Sequence, residues 1–154
     1  MSEPTSELLS NVLGEVLQDA AFVFAEPAED EITFEGEVLR STIAFESVRG
    51  GALRLVTPTR VAAEIAANML GIDPSDPEAE SQGRAAVSEI LNVIGGAFIT
   101  RYFGTQVPSQ LGLPVTDLVA TPLPVARRTC AAAMRLESGE PVLLELDLEE
   151  GPAA

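Results

Sequence analysis

Apolar residues recur with the spacing of a helix face in three parts of the chain. The first helix is predicted over residues 6–20, and a second over residues 58–70, with Thr57 as its N-cap and Gly71 as its stop signal. A third and longer helix is predicted over residues 77–103. The apolar face of the second helix comprises Val61, Ala62, Ile65, Ala66, Met69 and Leu70.

Alternation of apolar and polar residues predicts strands between and after these helices. Two are expected at 32–35 and 41–46, and a third returns over 52–56 after a turn at Arg49-Gly50-Gly51. A final hairpin, 129–136 and 142–148, turns at Ser138-Gly139, whereas glycine and four prolines predict that 104–126 is largely irregular.

This order of elements predicts an α+β fold, a mainly antiparallel sheet with two long helices and a shorter third helix packed on it. We expect residues 1–154 to form a single domain, with residues 1–5 and 149–154 as flexible tails.

One internal similarity links the first helix to the last. Ser6-Glu7-Leu8-Leu9-Ser10-Asn11-Val12-Leu13-Gly14 resembles Ser88-Glu89-Ile90-Leu91-Asn92-Val93-Ile94-Gly95, with one residue inserted in the first copy. Either the two helices are equivalent elements of a duplicated fold, or two helices rich in leucine and valine are similar by chance.

Composition excludes several kinds of chemistry. The 154 residues contain no His, and all nine basic residues are Arg, which excludes imidazole catalysis, histidine metal sites and lysine Schiff bases. The single Cys130 is interpreted as a core residue and fits a reducing compartment. A net charge of −15 argues against binding nucleic acid or anionic membrane. No targeting or membrane-spanning segment is recognised, so we expect a cytoplasmic protein.

The predicted long helix has an unusual outward face. With 100° per residue, Glu89 and Asn92 fall together on the side opposite the apolar face, which comprises Val87, Ile90, Leu91, Ile94 and Phe98. Ala85 and Gly96 flank them along the helix axis. Asn and Gly both weaken a helix, and departures from local rules concentrate at functional sites. The alternative is that Glu89 is an ordinary solvated acid.

At these residues the sequence resembles the CheC/CheX group of chemotaxis phosphatases, most closely its single-site CheX branch. The segment Glu89-Ile90-Leu91-Asn92-Val93-Ile94-Gly95-Gly96 matches the Glu-x-x-Asn helix of that family and its following glycine. Residues 41–45, residues 58–71 and Leu113-Pro114 are also similar, and the likeness covers roughly residues 7–148. Ala85 departs from the Asp or Ser that usually stands four residues before the family's Glu.

The resemblance implies a CheC-like fold and a phosphatase that acts on the aspartyl phosphate of a CheY-type response regulator. Asn92 would orient the attacking water and Glu89 would dock on the partner's lysine, while Ala85, Ser88, Gly95 and Gly96 would contact the partner. The resemblance also implies a homodimer and no cofactor of the chain's own, since the regulator brings Mg²⁺. Glu7 and Asn11, four residues apart on the first helix, resemble a degenerate second site.

Two other functions stay open. The chain could be a binding module that docks on a response regulator or a flagellar switch component without hydrolysis. It could also be an enzyme that uses clustered acids, for which Glu29-Asp30-Glu31 and the acids of 145–150 are candidates. Both acidic runs are more simply solvated surface, and Asp73-Pro74-Ser75-Asp76 lacks the ligand spacing of an EF-hand loop.

Overall fold

The computed structural model describes residues 2–124 and 126–150. The helices are α1 (Ser6–Ala21), α2 (Thr59–Leu70), α3 (Pro77–Ser81) and α4 (Gly83–Phe103). The strands are β1 (Ala25–Pro27), β2 (Glu37–Glu46), β3 (Gly51–Pro58), β4 (Gln110–Leu111), β5 (Val115–Ala120), β6 (Cys130–Leu136) and β7 (Pro141–Leu148). The α+β fold with a mainly antiparallel sheet is therefore confirmed, as is each of the three main helical regions.

The strands of the described residues form one sheet in the order β1-β6-β7-β3-β2-β4, and β5 also pairs with β2. Every pairing in this sheet is antiparallel. The central pair β3–β7 places Leu53 opposite Leu146 and Leu55 opposite Leu144, with all four side chains inside the core. The predicted inward direction of the apolar residues of β7 is confirmed.

The sheet has an internal twofold pattern. If β1, β2 and β3 are exchanged with β5, β6 and β7, the order β1-β6-β7-β3-β2-β5 is reproduced in reverse. Under the same exchange α1, which precedes β1, corresponds to α4, which precedes β5 in the second half. This topology favours duplication over chance as the origin of the similarity between residues 6–14 and 88–95.

The core lies between the sheet and the helices, because α1 packs against β6 and β7 while α4 packs against β2 and β3. The aromatic rings of Phe45 and Phe98 join strand to helix with centroids 5.6 Å apart, and Phe103 extends the cluster. The apolar stripe of α1 is buried as predicted, and Thr5 caps its first turn by accepting a hydrogen bond from the Leu8 amide at 3.1 Å.

Three predicted boundaries are wrong. Residues 32–35 alternate between half-buried and exposed, but they pair with no described strand and form irregular chain. The predicted helix over 77–103 is two helices that break at Gln82, because Gly83 approaches Ala62 of α2 so closely that an added Cβ would lie 3.2 Å from that side chain. The second helix begins at Thr59, after Pro58 at its N-cap position, and Thr57 lies within β3.

Other strands were not predicted. The region 104–126 contains β4 and β5, which both pair with β2, and β1 pairs with β6 through only three residues. The edge of β2 supplies the backbone partners that make strands of these short, proline-flanked segments.

The single-domain organisation and the flexible tails stay predictions, and residue 1 and residues 151–154 of those tails lie outside the described residues. Within the predicted first tail, the Ser2 carbonyl accepts a hydrogen bond from Tyr102 and Glu3 pairs with Arg49. No helix in the described part of the chain has the length and apolar run needed to cross a membrane.

Candidate functional site

Helix α4 separates its apolar and polar faces as the sequence predicts. Ile90, Leu91 and Ile94 are fully buried against the sheet and the neighbouring helices. Glu89 and Asn92 are both exposed, and their spacing of three residues places them about 60° apart on the outward side of the helix. Both side chains are therefore accessible to a second molecule that approaches α4 from the solvent.

The residues that flank Glu89 and Asn92 along the axis of α4 have small side chains or none. Ala85 and Gly96 are exposed, and the space around Gly96 is open, since an added Cβ would meet nothing within 4 Å outside the local helix backbone. A carboxylate and an amide therefore project from a surface with few other side chains, which allows another protein surface to approach closely.

The two remaining residues predicted to contact a partner face elsewhere. Gly95 is buried, and a Cβ at this position would come within 2.8 Å of Leu111 on β4. Gly95 therefore belongs to the packing between α4 and the sheet edge and not to the exposed surface. Ser88 is half-buried, and its hydroxyl is bonded inside the protein, so the structure does not place it on that surface either.

A chain of hydroxyl groups fixes the rotation of α4 on the sheet. The Ser88 hydroxyl lies 2.5 Å from that of Thr116 on β5, and the Thr116 hydroxyl lies 2.7 Å from that of Ser41 on β2. The Arg84 guanidinium also donates to the Thr116 carbonyl oxygen at 2.6 Å. Ser88 directly precedes Glu89, so these hydrogen bonds hold the outward face of α4 in one orientation relative to the sheet.

The sequence interpretation missed Ser41, Thr116 and Arg84 as members of this network. One signal was present, because Ser41 occupies an inward position of the predicted strand 41–46, and an inward polar residue needs a hydrogen-bonding partner. Its partner Thr116 could not be identified, because residues 104–126 were predicted to be irregular.

The equivalent face of α1 differs in detail. Glu7 and Asn11 are exposed but stand four residues apart, and Asn11 lines a cavity of about 450 Å³ with the acidic residues Glu15, Glu26 and Glu137.

Asn68 of α2 has a structural role. Its side-chain amide donates a hydrogen bond to the carbonyl oxygen of Ala21 at 2.8 Å and so satisfies the C-terminal end of α1.

The acidic runs that suggested other chemistry have basic partners. Arg135 donates to both carboxylate oxygens of Asp30, at 3.0 and 3.2 Å, and this hydrogen bonding holds the pKa of Asp30 below its usual value. Glu145 on β7 accepts from Arg54 and Arg128. Among the described residues no group of three or more acidic or cysteine side chains is arranged to hold a metal ion.

Cys130 lies at the start of β6 and is half-buried. Burial raises the pKa of its thiol, and the negative charge of Glu3 acts in the same direction. The thiolate that a cysteine nucleophile needs is therefore disfavoured at neutral pH, in agreement with its interpretation as a structural residue.

The fold and the site together define a class of α+β domain, in which helices pack on an antiparallel sheet and one helix exposes a Glu-x-x-Asn pair. Comparison with protein families identifies that class: the chemotaxis phosphatase CheX family matches residues 40–123, more than half of the chain. The chain belongs to the CheX family of chemotaxis phosphatases.

Solved structures agree on the fold. The chemotaxis protein CheX of Desulfovibrio desulfuricans superimposes with a TM-score of 0.69 at 15% identity, over 94% of this chain and 98% of that one. CheX in the CheX–CheY–BeF3–Mg complex of Borrelia burgdorferi gives a TM-score of 0.70 at 16% identity, over 94% and 97%. CheX of Vibrio vulnificus gives 0.67 at 20% identity, over 93% and 95%. A comparison with curated protein sequences finds no significant match.

Proposed function

We propose that this protein hydrolyses the aspartyl phosphate of a CheY-type response regulator, and that α4 enters the regulator's phosphorylation site. The observation that carries this proposal is the exposure of Glu89 and Asn92 on one outward face of a helix whose opposite side is buried. Membership of the CheX family supports the reaction type, and the Borrelia burgdorferi structure is of a CheX relative in complex with CheY.

Asn92 orients the attacking water in this proposal. Its amide can both donate and accept hydrogen bonds, so it can hold a water molecule in line with phosphorus, but it is too weakly basic to remove a proton at neutral pH. The water oxygen forms a bond to phosphorus while the bond to the aspartyl oxygen breaks, giving inorganic phosphate and a free carboxylate. Positioning of this kind supplies a large part of the rate of phosphoryl transfer.

Glu89 binds the regulator's lysine. This lysine would otherwise contact the phosphoryl group, and a charge-assisted bond to Glu89 would fix the register of the complex. Such bonds contribute about 1.5–3 kcal/mol when they are shielded from water. The regulator contributes the acyl phosphate, Mg²⁺ and the lysine, so the proposed reaction requires no His, Lys or metal ion from this chain.

The surface around the pair permits close approach. Ala85 and Gly96 leave room for the rim of the regulator's phosphorylation site on both sides of Glu89 and Asn92. The net charge of −15 steers association toward a basic surface and makes its rate dependent on ionic strength.

We also propose a homodimer, which the resemblance implies. The edge formed by β5 supports it, because Leu113 and Val115 are 88% and 61% exposed there and an unpaired strand edge readily pairs with another chain. We expect Val115→Lys to convert a dimer to a monomer in sedimentation velocity experiments. If the wild-type chain sediments as a monomer at micromolar concentrations, the dimer is excluded.

The phosphatase proposal is tested by following loss of ³²P from a phosphorylated CheY-type regulator. Wild-type protein is expected to accelerate the loss, and Asn92→Ala and Glu89→Arg to abolish most of that acceleration. Binding to the same regulator, loaded with beryllofluoride and Mg²⁺, is measured alongside. If the wild-type protein binds without accelerating decay, the chain is a non-catalytic binding module; if both variants match wild type in turnover, the site is wrong.

A further inference from the structure

An uncovered apolar groove lies between the end of α2 and the outward side of α4. Its volume is about 170 Å³, and Ala66, Met69 and Leu70 of α2 line it together with Ala85 and Glu89 of α4. The groove therefore shares Glu89 with the face that carries the proposed site.

The sequence pattern of α2 makes this groove notable. Met69 and Leu70 continue the apolar stripe whose earlier members, such as Val61 and Ile65, are buried. In the structure Met69 is 38% and Leu70 is 51% exposed, so the C-terminal end of the stripe is left uncovered. An apolar surface bordered by polar groups is typical of protein interaction sites.

The size of the groove limits what can occupy it. Pockets for small organic ligands usually have volumes of about 300–1,000 Å³, so this groove is too small for that class. It suits one apolar side chain, and such anchors in small pockets near the centre of an interface contribute much of the binding energy between proteins.

We propose that the groove binds a single apolar side chain of the response regulator, presented beside the lysine that pairs with Glu89. This inference depends on the proposed function. Among the described residues that line the groove, only Glu89 is charged. The groove therefore favours an occupant that carries a cation next to its apolar group. A second copy of this chain is disfavoured, because its net charge of −15 would bring a mainly acidic surface to Glu89.

The groove then contributes to affinity and not to the chemical step. Met69 and Leu70 contact the partner equally in the ground state and the transition state, whereas Asn92 acts on the water at phosphorus. Removal of the apolar contacts should raise KM and leave kcat unchanged, which is the signature of lost uniform binding.

The test uses Leu70→Ser and Met69→Ser, both at exposed positions, with Val48→Ser as the matched control and circular dichroism to show that each variant is folded. Val48 is 49% exposed and lies in the turn between β2 and β3, and it does not line the groove.

Calorimetry measures the Kd for a CheY-type regulator loaded with beryllofluoride and Mg²⁺, and phosphate release gives kcat and KM. We expect each serine variant to raise Kd and KM about tenfold with kcat within twofold, Leu70→Met to bind with the affinity of the wild type, and Val48→Ser to have no effect.

The outcomes separate this inference from the proposed function. If wild type hydrolyses the phosphoaspartate and the groove variants bind as wild type does, the groove proposal alone is wrong. If wild type binds without hydrolysis and the groove variants weaken binding, the groove proposal holds and the phosphatase proposal fails. A loss of self-association without a change in Kd would assign the groove to a second copy and overturn the inference, as would an absence of any binding by wild type.

Discussion

Helices α1 and α4 occupy equivalent places in the two halves of the sheet, but their outward faces differ. On α4 the carboxylate and the amide stand three residues apart, Ala85 and Gly96 leave space around them, and an apolar groove lies alongside. On α1 Glu7 and Asn11 stand four residues apart, and the neighbouring cavity is lined by acidic side chains.

The comparison shows which features a shared scaffold leaves free to vary. Both helices bury an apolar stripe, which the fold requires, and α1 carries the long polar residue Glu15 on its outer side, where it pairs with Arg101 of α4. Beside Glu89 and Asn92, α4 instead has Ala85 and Gly96, and Gly96 weakens the helix, since Gly is about 1 kcal/mol less favourable than Ala there. A functional face is recognised here by the absence of ordinary stabilising residues as much as by Glu89 and Asn92.

The largest expected difference between the two helices lies in their asparagines. Asn92→Ala should lower kcat by about 100-fold, because a misplaced water loses most of the benefit of positioning, with Kd changed less than threefold. Asn11→Ala should leave both constants unchanged. The measurement is single-turnover release of phosphate at saturating enzyme, and equal effects of the two substitutions would contradict the assignment of the site to α4.

The two glutamates should differ next. Glu89→Gln removes the charge that pairs with the regulator's lysine and should raise Kd about tenfold at low salt, while Glu7→Gln should have little effect. Since the lost interaction is ionic, the gap between wild type and Glu89→Gln should shrink as sodium chloride is raised. Titration calorimetry at two salt concentrations checks both parts, and a gap that is independent of salt would argue against ion pairing.

The smallest expected effects concern the two adjacent glycines of α4. Gly96→Ala should stabilise the fold by about 1 kcal/mol and raise Tm by roughly 2–4 °C, because the space there is open and Ala favours the helix. Gly95→Ala should gain less, since Leu111 has to move away from the added methyl group. Thermal unfolding followed by circular dichroism tests the pair, and a larger gain at Gly95 than at Gly96 would show that the faces of α4 are misassigned.

Much of the fold and of the candidate site could be predicted from the sequence, because helix periodicity is visible over long segments. The outward placement of Glu89 and Asn92 followed from 100° per residue, and the hairpin of β6 and β7 followed from alternation around Ser138-Gly139. The similarity of residues 6–14 and 88–95 indicated a duplication that the strand order then supports.

The rest depended on contacts between residues distant in the chain. The short strands β1, β4 and β5 exist because an edge of β2 or β6 supplies their hydrogen bonds, and no local pattern encodes that edge. Gly95 and Gly96 are adjacent in the sequence, but only the position of Leu111 distinguishes the buried one from the exposed one. The exposure of Met69 and Leu70 could not be predicted for the same reason, since a helical stripe shows which face is apolar but not whether another part of the chain covers its end.

The most direct test of the central claim is a crystal structure of this protein bound to a CheY-type regulator carrying beryllofluoride and Mg²⁺. We predict that α4 lies in the regulator's phosphorylation site, with the Asn92 amide bonded to a water in line with beryllium and the Glu89 carboxylate on a lysine. A complex in which the regulator contacts α1 or the β5 edge, and α4 stays exposed to solvent, would contradict it.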